Sequence, residues 1–155
     1  MPQHQNLRLL REMLPFAKLA GVDINKKAIK HAKEYFQSVN DNNVSLIVNK
    51  GDQLTEFEDG SFDVVFSQAV MIHHPPKSFD KVVAKMLKLS SNVVIFNEYH
   101  LDGAEEGLFD SGRWVYDYFK VVQKHHPDAK VTMQQSDFKG GSWDKYGKLV
   151  TVILR

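Results

Sequence analysis

Short apolar runs alternate in this chain with stretches whose apolar residues recur at helical spacing. That alternation restricts the fold more than any other feature. Leu7, Leu10, Met13 and Leu14 keep helical spacing until Pro15 ends the run. Residues 17–24 then read as a strand. Asn25 can cap a helix through about Phe36, with Ala28, Ile29, Ala32 and Phe36 on one face. After the turn Asn40-Asp41-Asn42-Asn43, a second strand runs from Val44 to Val48 and leads into Gly51-Asp52. Glu58-Asp59-Gly60-Ser61 turns the chain into a third strand, Phe62 to Ser67, whose continuous apolar stretch predicts cover on both faces. Pro75-Pro76 precedes a helix with Phe79, Val82, Val83, Met86 and Leu87 on its apolar face, and Asn92 to Glu98 is a fourth strand. A polar loop is expected from Tyr99 to about Gly112. A helix marked by Val115, Tyr118, Phe119 and Val122 follows, ending near His126-Pro127. Residues 129–136 and 148–154 fit an antiparallel pair joined by a Gly/Ser/Trp loop.

Strands alternating with helices predict an α/β fold with a mainly parallel sheet and right-handed crossovers. Ligands of such sheets sit beyond the C-terminal ends of the strands. The informative positions are therefore Asp23, Gly51-Asp52, Ser67 to His74 and Glu98 to His100. The 155 residues suit one domain, 1–155, and no internal repeat, low-complexity run or linker interrupts them. A net charge of +1 points to neither nucleic acid nor an anionic membrane surface. With no cysteine, disulfides and thiolate metal sites are excluded. No apolar run approaches the ~20 residues of a membrane span, and Met1-Pro2-Gln3-His4-Gln5 lacks a signal pattern, so a cytoplasmic location is expected.

Gly21-Val22-Asp23-Ile24-Asn25, Gly51-Asp52, Asp59-Gly60-Ser61-Phe62-Asp63-Val64-Val65 and Ser67-Gln68-Ala69-Val70-Met71-Ile72-His73-His74, in this order and spacing, resemble a class I S-adenosylmethionine-dependent methyltransferase. The resemblance runs from about Asn6 to the C-terminus, where Asp144-Lys145-Tyr146-Gly147-Lys148-Leu149-Val150 fits the closing hairpin. It is strongest with the small-molecule branch. It implies a Rossmann-like, mostly parallel sheet with an antiparallel C-terminal hairpin, S-adenosylmethionine as cofactor and methyl transfer to a small-molecule acceptor.

The resemblance also implies roles. Asp23 would accept from both ribose hydroxyls, which suits a carboxylate with two acceptor oxygens. Ile24 would pack on the adenine, and Asp52, with Gln53 beside it, would face the adenine amino group. Ser67, Gln68 and Ala69 would lie under the methionine portion. His73 and His74 would stand at the mouth near the acceptor, and a histidine has the proton affinity a general base needs. Glu98 and Tyr99 form a second catalytic candidate with His100 beside them. No metal is expected, because adjacent histidines diverge on a regular element and no carboxylate pattern completes a site.

Plainer roles stay open. Asp23 also fits a helix entry, Asp52 a turn, His73 a packed neighbour of its loop and His125-His126 a helix-end cap. Trp114, Tyr116 and Tyr118 fit a pocket lining, but core packing is the better reading for Val115, Tyr118 and Phe119.

The resemblance further expects a first strand and a glycine-rich turn, because backbone must approach the cofactor closely there. Residues 1–20 hold no glycine, and Pro2, Gln3, His4 and Gln5 stand where the turn would close. The chain therefore reads as N-terminally truncated, with the strand between those ending at Asp23 and Ser67 absent. Those two neighbours would close up, keep open edges or be bridged by another chain, a homodimer included. A non-catalytic methyltransferase-like binding module is the competing reading. A nicotinamide-dependent oxidoreductase is weaker, since it too needs the glycine turn.

Overall fold

A computed structural model describes residues 4–155, and the chain divides into two compact units, residues up to Gln53 and Leu54–Arg155.

In the first unit, helix α1 (Gln5–Met13) leads to strand β1 (Leu19–Asp23), helix α2 (Lys26–Ser38) and strand β2 (Val44–Val48). Asn25 caps α2 by accepting the Lys27 and Ala28 amide hydrogens, and Ala28, Ile29, Ala32 and Phe36 form its buried stripe, as the spacing predicts. β1 and β2 pair in parallel, Leu19 opposite Val44 through Asp23 opposite Val48. Arg11, at the end of α1, donates to Asp41 and to the carbonyls of Leu14, Pro15, Ala17 and Asn43. One guanidinium thus ties the approach to β1 to the turn before β2. Pro2 and Gln3, expected at the place of the glycine turn, lie outside the described residues. His4 is a turn residue whose ring stacks on Tyr35 at 4.9 Å, and Gln5 opens α1.

In the second unit, strand β3 (Phe62–Gln68) runs through a 3-10 turn, Met71–His73, into helix α3 (Pro76–Leu89) and strand β4 (Ser90–Tyr99). Pro76 sits in the first turn of α3, where its missing N–H costs no hydrogen bond. A short hairpin, β5 (Leu108–Asp110) and β6 (Arg113–Val115), precedes helix α4 (Tyr118–His125), strand β7 (Lys130–Gln135), helix α5 (Ser142–Tyr146) and strand β8 (Gly147–Ile153). The sheet order is β3-β4-β8-β7, with β3 parallel to β4 and the last two pairings antiparallel. The α/β class with parallel strands around the helices and an antiparallel C-terminal hairpin is borne out. Among the described residues β1 pairs only with β2 and β3 only with β4, so each keeps one edge without a strand partner.

The core of the second unit lies on one face of this sheet. Val94, Phe96, Val150 and Val152 point into it and meet Phe79, Val83, Tyr118 and Val122 from α3 and α4. The expectation that β3 is covered on both faces fails: Val64 and Phe66 are 48% and 40% exposed, because the described helices of this unit pack on the other face. Two segments read as loops hold regular structure. Ser111-Gly112, both at positive φ, make the two-residue turn of the β5–β6 hairpin, and Ser142–Tyr146 is helical. Val115 belongs to β6 rather than to the helix. Phe119, expected on the core face of α4, is 39% exposed, since Tyr118, Val121 and Val122 carry that face.

Candidate functional site

At the end of β1 the chain must leave the strand and enter α2 within two residues. Asp23 Oδ1 accepts the Asn25 amide hydrogen at 2.8 Å, which shapes that exit. Its second oxygen has no hydrogen-bond partner among the described residues, so the helix-entry role occupies only half of the carboxylate. Ile24, next to it, is 65% exposed, an open apolar surface beside a free acceptor. After β2, the Asn49 amide donates to the Asp23 carbonyl at 3.1 Å, and the Asn49 side chain accepts from Gly51 at 2.9 Å. Gly51 has φ 89°, which only glycine adopts freely. This turn places Asp52, half-buried, and Gln53, exposed, just past the strand end. Asn49 was not among the expected residues, although an Asn two residues before a Gly is a turn signal.

The second strand-end cluster lies in the other unit. Ser67 is buried at the end of β3, Gln68 pairs with Asn97, and Ala69 takes φ 54°, held by its N–H bond to the Asn97 carbonyl at 3.1 Å. The Val70 amide donates to Glu98 Oε1 at 3.0 Å. Past it, His73 is exposed on the 3-10 turn, and partial burial followed by the nearby Arg113 guanidinium lowers its pKa. His74 Nδ1 lies 3.2 Å from Ser78 Oγ, and its carbonyl accepts the Tyr116 hydroxyl at 2.7 Å. Tyr116 is fully buried and stacks on Phe79, so its part here is to anchor the turn from below.

Glu98 and Tyr99 stand differently from His73. Glu98 is 0% exposed, and burial pushes its carboxyl up to about 7 against the pull of the Val70, Met71 and Ile72 amides and the Ser67 hydroxyl. Tyr99 is buried against Trp143 and Tyr146. The structure brings Glu98 to the turn that carries His73 and His74, with Tyr99 packed on the other side of the strand.

His100, Asp102 and Asp117 offer ligand atoms within 4.8 Å of one another. The tautomer opposes a metal there. His100 Nδ1 accepts the Tyr118 amide hydrogen at 3.1 Å, so in the neutral ring Nε2 carries the proton and donates to Asp102 at 2.8 Å. Asp117 is taken up by the Lys120 and Gly103 amides, which makes it the cap of α4. A surface cleft of about 400 Å³ beside these groups includes Asp102, Glu105, Phe119 and Met133, and none of the expected site residues lines it.

A family model described as a methyltransferase domain matches residues 5–91, more than half of the chain. No curated protein sequence matches it. Among solved structures, the PH0226 protein from Pyrococcus horikoshii is 22% identical, with 99% of this chain and 78% of that one covered at a TM-score of 0.67. A SAM dependent methyltransferase from Aquifex aeolicus is 14% identical, with 99% and 78% covered at 0.66. Magnesium protoporphyrin IX methyltransferase from Synechocystis, solved with bound SAM, is 15% identical, with 90% and 60% covered at 0.63. At these identities the likeness is one of fold, the Rossmann-like arrangement of class I methyltransferases.

Proposed function

The chain belongs to the methyltransferase-domain family, and from that premise we propose that it binds S-adenosylmethionine and transfers a methyl group to a small-molecule acceptor. The observation that carries the reading is the end of β1, where Asp23 keeps one free carboxylate oxygen beside exposed Ile24. That pair fits a ribose diol and the flat face of a base, by hydrogen bonding and apolar contact respectively. Asp52, with Gln53, adds an acceptor after a parallel neighbouring strand, suited to an exocyclic amino group. Ser67, Gln68 and Ala69, at the end of β3, are proposed to meet an amino-acid moiety.

S-adenosylmethionine supplies a methyl carbon bonded to a positively charged sulfur. When an acceptor atom bonds to that carbon, the carbon–sulfur bond breaks and its electron pair stays on sulfur. The protein's contribution is alignment and, where the acceptor must lose a proton, a base. His73 is the candidate. It is exposed, and its lowered pKa keeps the ring neutral and able to accept a proton at neutral pH. Tyr99 is assigned to the wall behind the acceptor.

No described helix is long and apolar enough to cross a membrane. A cytoplasmic location is part of the same proposal, and the near-neutral charge argues against nucleic acid as substrate. A homodimer is compatible with the unpaired edge of β3. Equilibrium dialysis of the full chain against radiolabelled S-adenosylmethionine, beside Asp23→Ala, tests the proposal. Retention in the wild type that Asp23→Ala weakens supports it, and equal retention in both removes the ribose assignment.

A further inference from the structure

The turn after β3 is held at three points. Its first residue, Ala69, sits at φ 54°, a conformation that costs a non-glycine residue free energy and persists only where the surroundings impose it. The Asn97 carbonyl holds that residue by its N–H, and the Asn97 side chain accepts from Ser136 at 2.7 Å. At the far end, the Tyr116 hydroxyl holds the His74 carbonyl. In the middle of the turn the Met71 and Ile72 side chains pack into the core, and the Glu98 carboxylate takes up the Val70 backbone N–H.

Its position follows from the pairing. β3 and β4 run parallel with Ser67 opposite Phe96 and Gln68 opposite Asn97. Glu98 is therefore the next residue of β4 just where β3 ends. Strand alternation puts its side chain on the face of Val94 and Phe96, both fully buried. A carboxylate in that place is costly unless hydrogen bonds meet it. Val70 donates to Oε1 at 3.0 Å, and the amides of Met71 and Ile72 also favour the charged form. Successive backbone N–H groups converging on one anion form a nest. Oε2 and the Ser67 hydroxyl are buried without a hydrogen-bond partner of good geometry, which leaves Oε2 as the place for a proton. A leucine would fill this volume at lower cost, so packing does not account for the acid.

We propose that Glu98 is a positioning residue: its carboxylate fixes the turn from Ala69 to His74 and so sets where Gln68, Ala69 and His73 stand. It acts through the backbone and does not touch the acceptor. The consequence for cofactor binding rests on the methyl-transfer reading, whereas the holding of the turn does not.

Two arms test it on the full chain. The first follows the amide proton and nitrogen shifts of Val70, Met71 and Ile72 by NMR as pH is raised. In the wild type they move together with a midpoint near 7, the value to which Glu98 is pushed. In E98Q that movement is absent. The other titratable or charged groups near the carboxylate and its turn are Tyr118 of α4 and Tyr116, both raised by burial, His73 and His74 on the turn, Arg113 beside His73, and His100 beside Tyr118. All of them remain in E98Q, so a midpoint that persists there belongs to them and overturns the proposal. A wild type without the common midpoint overturns it too.

The second arm measures S-adenosylmethionine affinity. E98L, which keeps the bulk and removes the acceptor, weakens it by about tenfold, the scale of one lost charge-assisted hydrogen bond acting through the turn. E98Q, which keeps a carbonyl acceptor, stays within about threefold of the wild type. Wild-type affinity in folded E98L overturns the proposal. A wild type that binds no S-adenosylmethionine overturns the methyl-transfer reading, and the amide shifts then uphold or overturn the turn-holding role by themselves. Should E98L not fold, E98Q still decides through the first arm.

Discussion

The ring of Phe79 lies flat on the ring of Tyr116, centroids 3.5 Å apart and planes 8° from parallel, with both side chains buried. The Tyr116 hydroxyl then reaches the carbonyl of His74. One stack thus joins α3, the segment between β6 and α4, and the turn that carries the candidate base.

Truncating this stack should be costly in a graded way. Phe79→Ala leaves a hole in the core and should lower stability by about 3–5 kcal/mol. Tyr116→Phe keeps the stack and removes one hydrogen bond to a backbone carbonyl, a loss of about 1 kcal/mol. Urea unfolding followed by circular dichroism reads both. Equal losses in the two variants would mean that the hydrogen bond, not the stacking, dominates.

Glu98 predicts how stability changes with pH. Its pKa rises from the ordinary 4.5 to about 7 on folding, so the folded chain binds this proton more tightly than the unfolded one. The associated stability is fully present below pH 4.5 and is lost as pH rises through about 7, an effect of roughly 3 kcal/mol at most. His73, lowered by burial, works the other way: its share is present above 6.5 and lost as pH falls. Unfolding free energies at about pH 5 and about pH 8 should therefore fall with pH more steeply in the wild type than in E98Q. Parallel slopes would contradict the burial of an ionisable Glu98.

The first unit has its own tie. Arg11 Nε meets Asp41 Oδ2 at 2.6 Å, and hydrogen bonding from Arg11 holds the Asp41 pKa below the usual carboxylate range. The contribution is present above the unfolded value of 3.8 and is lost as pH falls below it. Asp41→Asn should lower the thermal midpoint at neutral pH and make it less sensitive to acid. Arg11→Met should lower the midpoint further, because the carbonyls of Leu14, Pro15, Ala17 and Asn43 lose their donor as well. A midpoint unchanged in both variants would show that the tie contributes nothing to stability.

Gly107 tests the packing of the hairpin. It has φ 86°, and a Cβ there would lie 2.7 Å from a Tyr116 ring carbon and 3.1 Å from Pro76 Cγ. Gly107→Ala combines a left-handed backbone with overpacking and should cost about 1–3 kcal/mol. Stability equal to the wild type would mean that the hairpin shifts freely.

Much of this was legible in the sequence because it is local. Asn25 caps α2 as its position foretells, the buried stripes of α2 and α3 fall on the residues that periodicity selects, and β2 begins and ends at Val44 and Val48. Asp23 stands where the strand-end rule puts it. What was missed depends on contacts distant in sequence. Nothing near Arg11 announces Asp41, and nothing near Tyr116 announces the His74 carbonyl. The β5–β6 hairpin has strands of three residues, too short for alternation to register, and Ser111-Gly112 was its sole cue. Glu98 carried a readable signal. Alternation from Val94 through Phe96 puts it on the buried face, which distinguishes an acid that holds backbone from one that meets a substrate. The uncovered side of β3 had no cue, since a continuous apolar run reads the same whether its second face is packed or open.

Calorimetric titration of the full chain with S-adenosylmethionine tests whether Asp23 holds the cofactor. A saturable heat is expected for the wild type, with an affinity weaker by about tenfold or more in Asp23→Ala, where a charged acceptor of two hydroxyls is lost. No heat at about 1 mM cofactor, with the protein shown by circular dichroism to be folded, would contradict it. So would a titration in which Asp23→Ala and the wild type coincide.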